Sequence, residues 1–355
     1  MTTLAGRLVV LVAALAGACG GAPVDLDGAI AADAAAIDAT AIDAALDGGA
    51  PAPEPDLTHW IVGDPADRVA STTRGLIVMG GGTDVDEAFR WQRDRIGGGD
   101  VVVLRASGAD GYDDYLFTTI GGVDSVETLL VDTRAHAMSP YVRWQIDHAE
   151  AIFLAGGDQA VYLAAWTGTP LADALAAAYQ RGAVVGGTSA GAAVLGEIAY
   201  SATNGSVYSD EALADPYDAH VTFAPGLVPT PALAGIVTDT HFATRDRMGR
   251  LLAFVARLRT DGVVARPVGL GVNEATALVI DEHGTGRVVG AGAVYAIVPT
   301  AAPTTCAASA PLVWADVPLF RLHAGDTIAL PAATATVAPA SLSAAGGQLS
   351  PADPY

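Results

Sequence analysis

The sequence predicts an α/β protein of three layers, with helices on both faces of a parallel sheet and a β extension near the C-terminus. Three observations carry that expectation. Short apolar runs alternate with longer amphipathic stretches from Gly75 onward, the pattern of parallel strands joined by helical crossovers. The apolar runs lack polar alternation, as strands covered on both faces do. From Val268 the helices stop and closely spaced strands with short turns take over.

The first 19 residues read as a lipoprotein-type signal peptide. Arg7 is followed by an apolar run from Leu8 to Ala18 that is too short to span a bilayer, and then by Cys19. Ala16-Gly17-Ala18-Cys19 resembles a bacterial lipoprotein processing box, although Leu15 stands one place earlier than the leucine of that box. The reading implies lipid on Cys19 and a secreted or cell-envelope location, with the membrane reached through that anchor alone. Residues 20–58 are rich in Ala, Asp and Pro and are expected to form a solvated acidic tether. A catalytic domain is expected over 59–338, and a frayed tail over 339–355.

Within the domain, strands are expected at Leu76–Met79, Val101–Leu104, Leu129–Val131, Ile152–Ala155 and Ala183–Val185. Helices are expected near Asp84–Arg95, Pro140–His148, Ala160–Trp166 and Leu171–Arg181. A small-residue helix follows from Ala190 through Ala199. The Ser-, Asn-, Gly- and Pro-rich stretch Tyr200–Pro231 is a long connection, expected to overhang the site or to be a plain surface excursion. Strands follow at Gly269–Val272, Ala275–Ile280 and Val288–Val298. Leu319–His323 and Thr327–Leu330 read as a hairpin around Ala324-Gly325-Asp326, and the β extension is expected at one sheet edge.

With a formal net charge of -21 and a pI near 4.4, the chain is a poor partner for nucleic acid, whose phosphates demand clustered Lys and Arg. Its two cysteines, Cys19 and Cys306, offer no disulfide framework and no zinc spacing. With Cys19 acylated, Cys306 is an unpaired thiol, read as a small buried hydrophobe.

The chemistry centres on Gly186-Gly187-Thr188-Ser189-Ala190-Gly191, a Gly-x-Ser-x-Gly run between an apolar strand and a small-residue helix. In that context it is a nucleophile elbow, a sharp turn that holds the serine Oγ clear of the sheet beside a helix N-terminus. Of seven histidines, His241 alone ends an apolar strand (Ile236 to Phe242) at a polar tip, where α/β sheets assemble their sites. Glu274 lies among apolar strand residues, where an unpaired charge is costly, and so is the carboxylate expected to orient the imidazole. Phe153 to Gln159 breaks at Gly156-Gly157 before a helix; its N–H groups either complete an oxyanion hole with those at Ala190 or are a structural turn. Arg245, Arg247 and Arg250 are either a solvated basic face or, in so acidic a chain, a site for carboxylates.

Taken together, Phe153–Gln159, Gly186–Gly191, Asp239–Arg250 and Gly269–Leu278 resemble peptidase family S51, the cyanophycinase and aspartyl dipeptidase group, over about Gly75 to Pro299. The resemblance implies a class I glutamine-amidotransferase-like fold with Ser189 as nucleophile, His241 as base and Glu274 as acid. It implies oxyanion donors at Gly157 and Ala190, and substrate binding by Gln159, Asp239, Arg245, Arg247 and Arg250. The Asp239-x-His241-Phe242 run with its arginines looks like the cyanophycinase version; Asn273 departs from it, since an aspartate commonly stands there. The expected substrate is a peptide or poly-aspartate, most specifically cyanophycin cleaved to β-aspartyl-arginine, with aspartyl dipeptides as the alternative. No metal or organic cofactor is expected, and association into a homodimer stays open.

Three other readings compete with this one. An α/β-hydrolase esterase predicts the order Ser, acid, His, whereas here the better histidine precedes the better acid. A catalytically inactive surface binding module does not need all three side chains. A glutaminase-type amidohydrolase usually carries Cys where this chain has Ser189.

Overall fold

The computed structural model describes residues 49–355; the expected signal peptide, Cys19 and most of the tether lie outside the described residues. The described chain enters through β1 (Thr58–Gly63), β2 (Gly75–Met79), helix α1 (Asp86–Arg93), β3 (Val101–Arg105), a π-helical turn (Tyr115–Ile120) and β4 (Ser125–Leu130). Helices α2 (Arg134–Ala137) and α3 (Pro140–His148) lead to β5 (Ala151–Leu154), and α4 (Gln159–Trp166) and α5 (Pro170–Arg181) lead to β6 (Val184–Thr188). Next come α6 (Ala190–Ala193), β7 (Ile198–Tyr200), α7 (Ser209–Ala214), β8 (Phe223–Pro225), β9 (Ile236–Asp239) and the long helix α8 (Met248–Thr260). Strands follow: β10 (Val268–Val272), β11 (Thr276–Ile280), β12 (Thr285–Gly290), β13 (Ala293–Ile297), β14 (Trp314–His323), β15 (Thr327–Ala329), β16 (Thr334–Ala335), β17 (Ala340–Ala345) and β18 (Gln348–Ser350).

Local chemistry accounts for the crossover helices. Ser139 caps α3 by accepting from the Val142 N–H, with Pro140 behind it, and Asp158 caps α4 by accepting from the Ala160 N–H. The strands β4, β3, β5, β6 and β2 lie side by side in that order and run parallel. Antiparallel β1 borders β4, and antiparallel β11, β12, β15 and β16 continue the sheet beyond β2, making it ten-stranded. Along β2, Leu76 and Val78 enter one core while Ile77 and Met79 enter another, the period-2 alternation of a strand covered on both faces.

The sequence did not reveal a second, eight-stranded sheet in the order β18-β17-β14-β13-β10-β9-β7-β8. One of its faces shares a core with the first sheet through Leu270, Val294 and Leu322, and the other is covered by α8. The expected single parallel sheet with a β extension at one edge is therefore corrected to a mixed α/β arrangement of two sheets. The late strands divide between them, β11, β12, β15 and β16 joining the first and β10, β13, β14, β17 and β18 the second.

That division overturns the expected hairpin. The chain turns at Gly325, but β14 pairs with β13 and β17 whereas β15 pairs with β12 and β16. The expected helix from Ala190 to Ala199 stops at Ala193, and the β-favouring Ile198-Ala199-Tyr200 joins β9 and β8 instead. Nor is the segment 339–355 frayed: β17 and β18 pair, with Leu342 and Ala344 buried. At the other end, Leu57 is buried and Glu54 accepts a hydrogen bond from Ser139, so the last residues of the expected tether pack on the domain.

Candidate active site

The parallel strands β2, β5 and β6 of the first sheet and β9 and β10 of the second are all followed by loops that meet in one place, the arrangement that gathers sites at strand C-termini. Ser189 follows β6 directly, with φ 53° and ψ -119°, a conformation costly for a residue with a Cβ. The backbone can close so tightly because Gly191 has no side chain: a Cβ there would stand 2.1 Å from the Leu154 carbonyl oxygen.

His241 follows β9 and also adopts positive φ, at 49°. Glu274 stands where the chain leaves β10 in the second sheet for β11 in the first. The three side chains form a continuous relay. Ser189 Oγ lies 2.7 Å from His241 Nε2, and His241 Nδ1 lies 2.6 Å from Glu274 Oε1. An ionised carboxylate only accepts, so Nδ1 carries the proton and Nε2 is free to accept from the serine hydroxyl.

The loop after β2 holds this relay in place. The Gly80 carbonyl accepts from the His241 N–H at 2.7 Å, and the Gly81 carbonyl accepts from the Ala275 N–H at 3.0 Å. Gly81, at φ 91°, lies flat on the imidazole; a Cβ there would be 2.5 Å from the ring. The sequence reading passed over Gly80-Gly81-Gly82, although a glycine run directly after an apolar strand is the same signal that marked Gly156-Gly157 and Gly186-Gly187.

The electrostatics suit a neutral base. Burial lowers the His241 pKa, the hydrogen bond to Glu274 opposes that, and the positive charges of Arg245 and Arg247 push it down further. Glu274 is held below the usual carboxylate range, first by its hydrogen bond to His241.

Of the expected oxyanion donors, Ala190 opens α6, where the first N–H groups lack helical partners; the N–H of Ser189 is already given to the Met79 carbonyl at 3.2 Å. At the other loop, the buried Tyr162 hydroxyl faces the carbonyls of Ala155 and Gly156 at 2.9 and 3.1 Å. In a trans peptide C=O and N–H point opposite ways, so the N–H of Gly157 points away from Tyr162. Gly156 runs against the nucleophile, 3.5 Å from the Ser189 Cβ to where its own Cβ would be. Tyr162 is thus a residue of the site's framework that the sequence reading missed.

The expected substrate-binding residues separate into two groups. Asp239 and Arg250 are buried against each other, with Arg250 Nε to Asp239 Oδ2 at 2.7 Å and Nη2 to Oδ1 at 2.6 Å. Arg250 also reaches Ser206 Oγ and the Val207 carbonyl, and Arg247 bonds Asp239 and the Thr240 carbonyl. Their polar atoms are spent on one another, which corrects the expectation that Asp239 and Arg250 hold substrate: they brace the loop. Arg245 is exposed and, among the described residues, has no ion-pair partner. It lines a cavity of about 400 Å³ with Ser206, Tyr208, Ser209, Arg247 and Arg250, so one stretch of the long connection borders the arginines. Gln159 is half-buried at the start of α4. Asn273 is more than a departure, because its side-chain oxygen accepts from the Ala243 N–H at 3.0 Å and ties down the loop that bears the arginines.

A strained serine, an imidazole and a carboxylate in hydrogen-bonded series, set where two sheets meet, define an α/β protein of serine-hydrolase type. Residues 115–287, just under half of the chain, match the sequence model of peptidase family S51. It is 31% identical over 209 residues to a cyanophycinase of Trichormus variabilis, covering 57% of this chain and 63% of that protein. It is 33% identical over 181 residues to a cyanophycinase of Synechococcus elongatus, covering 50% and 51%. The chain thus spans less than two thirds of the length of these relatives. Among solved structures, a peptidase from an acI-B1 Actinobacterium superposes with TM-score 0.46 and 17% identity over 74% of this chain and 98% of that one.

Proposed function

We propose that this protein is a serine peptidase that hydrolyses aspartyl peptide bonds through an acyl-enzyme, with cyanophycin as the substrate and β-aspartyl-arginine as the product. The observation that carries the reading is the relay from Ser189 through His241 to Glu274, with Ser189 held at positive φ. The names of the cyanophycinases that the chain resembles support the choice of substrate. A class I glutamine-amidotransferase-like ancestry for the parallel part of the first sheet belongs to the same proposal.

In this mechanism Nε2 of His241 takes the Ser189 proton as Oγ attacks the peptide carbonyl carbon. The C–O bond to the serine forms, and charge gathers on the carbonyl oxygen, where the N–H groups of Ala190 and Gly157 stabilise it. The C–N bond then breaks and the amine leaves with the proton from His241. Water, deprotonated by the same imidazole, attacks the ester and releases the acid and the free serine. Glu274 stabilises the imidazolium formed in each half-reaction. Arg245, exposed beside this centre, is the cation suited to a substrate carboxylate.

The test is to incubate the purified protein with cyanophycin and with α-aspartyl dipeptides and to identify products by mass spectrometry. The expected result is β-aspartyl-arginine from the polymer, with Ser189→Ala losing about a million-fold in kcat. Cleavage of dipeptides alone makes the protein an aspartyl dipeptidase; Ser189→Ala with full activity overturns the mechanism.

A further inference from the structure

Helix α8 begins at Met248, directly after the loop that carries His241 and Arg245, and the residue at its N-cap is Arg247. An arginine has no oxygen with which to cap a helix, and this one is turned to Asp239 and the Thr240 carbonyl. The free N–H groups of the first turn find their acceptors elsewhere. The Met248 N–H donates to the hydroxyl of Tyr355 at 2.7 Å, across 107 residues of sequence, and the Arg250 N–H donates to Ser209 Oγ at 3.2 Å.

The Tyr355 hydroxyl in turn donates to Asp246 Oδ1 at 2.9 Å. Asp246 sits in the same loop at φ 46°, a conformation that an aspartate keeps only when its surroundings hold it there. The Tyr355 ring packs edge-on against Phe242 at 5.9 Å and against Tyr295 at 5.8 Å. Phe242 is the immediate neighbour of His241, and its own ring fills the space over Gly271, where a Cβ would be 2.5 Å away. One side chain thus holds both ends of the loop 242–248, by its ring at Phe242 and by its hydroxyl at Asp246 and Met248.

We propose that Tyr355 is a positioning residue for the active site: it supplies the helix cap that Arg247 cannot and backs Phe242, so that a segment outside the part of the chain matched to family S51 fixes where His241 and Arg245 stand. The proposal rests on the peptidase reading above. It makes the final segment part of the site's construction, with no contact to the reacting atoms.

The test uses the full chain with Tyr355→Phe, which keeps the ring and deletes the hydroxyl, and Tyr355→Ala, which deletes both. Three quantities are measured on each: KM and kcat with cyanophycin, the rate at which a fluorophosphonate phosphonylates Ser189 with loss of fluoride as a function of pH, and the melting temperature. For Tyr355→Phe we expect KM to rise about fivefold, the change that corresponds to about 1 kcal/mol, with kcat within about twofold. For Tyr355→Ala we expect a further rise in KM and a displaced pH profile of phosphonylation, because the backing of Phe242 is lost as well. A Tyr355→Phe protein that melts lower but keeps wild-type KM and the wild-type phosphonylation profile overturns the proposal, its tyrosine being structural only. A wild-type protein that the fluorophosphonate fails to phosphonylate overturns the peptidase reading and this proposal with it; normal phosphonylation with unaltered Tyr355 variants overturns the positioning role of Tyr355 alone.

Discussion

Burial and two neighbouring arginines hold the His241 imidazole neutral below its ordinary pKa of 6.5, against the pull of Glu274. A general base works only when deprotonated, so a lowered pKa extends activity toward acid, and kcat/KM falls only as pH drops through the lowered value. Arg245 is one of the charges responsible, and it is exposed and free of ion pairs among the described residues. Replacing it with Ala removes a positive charge and lets the imidazole protonate more readily. The acidic limb of the kcat/KM profile of Arg245→Ala is therefore expected at higher pH than in the parent, together with a raised KM for carboxylate substrates. A limb that stays in place, measured at low ionic strength where charge effects are least screened, removes Arg245 from the set of groups that tune His241.

At the scale of elements, the loop between β9 and α8 is stiffened by the buried fork between Arg250 and Asp239. Burial alone raises the Asp239 pKa, and the charge and hydrogen bonds of Arg250, the charge of Arg247 and the Thr240 N–H together more than reverse it, leaving a buried carboxylate ionised. Removing Arg250 leaves the buried Asp239 carboxylate with Arg247 as its one remaining guanidinium partner. Arg250→Met is expected to cost about 3–5 kcal/mol in unfolding free energy by denaturant titration, whereas the double change with Asp239→Leu is expected to recover most of that loss. A single substitution costing under about 1 kcal/mol contradicts the brace. The sequence marked this loop for function because three arginines in an acidic chain stand out. It left open which were spent on structure, since spacing of two and three residues does not say where a guanidinium points. Ser189, His241 and Glu274 were legible for a different reason: each interrupts an apolar strand at its end, where a polar residue has no role in the core. Tyr162 and Tyr355 were not, because each acts through a hydroxyl at the end of an otherwise apolar side chain, and Tyr355 acts on residues more than a hundred positions away.

For the molecule as a whole, an excess of acidic groups meets an interior that tolerates few of them. Asp113 is buried with Thr128 donating to it, and burial pushes its pKa up from 3.8 to about 6. Asp84, Asp100, Glu127 and Glu150 are raised as well, each first by burial. A carboxyl whose pKa is higher folded than unfolded binds protons preferentially in the folded state. Its stabilisation is complete below the unfolded value and is lost as pH rises through the folded one. The melting temperature is therefore expected to rise as pH is lowered from about 7 to about 5, and Asp113→Asn is expected to flatten that rise. A Tm with no such slope, followed by calorimetry across that range, overturns the assignment. The parallel half of the fold was legible because its strands and crossover helices are local patterns in sequence order. The partition of the late strands was not, because β14 and β15 carry the same alternation whichever sheet receives them, and only the cores that they enter decide it.

The step of the chain at Asn273 and Glu274 has one more consequence. The nucleophile is mounted on one β layer, the base on the other, and the acid on the strip that joins them. The relay is therefore a vernier between two layers: a slide of about 0.5 Å of one over the other is enough to carry it out of working geometry while every strand stays intact. Alignment of the layers, rather than survival of either, is what keeps the serine armed.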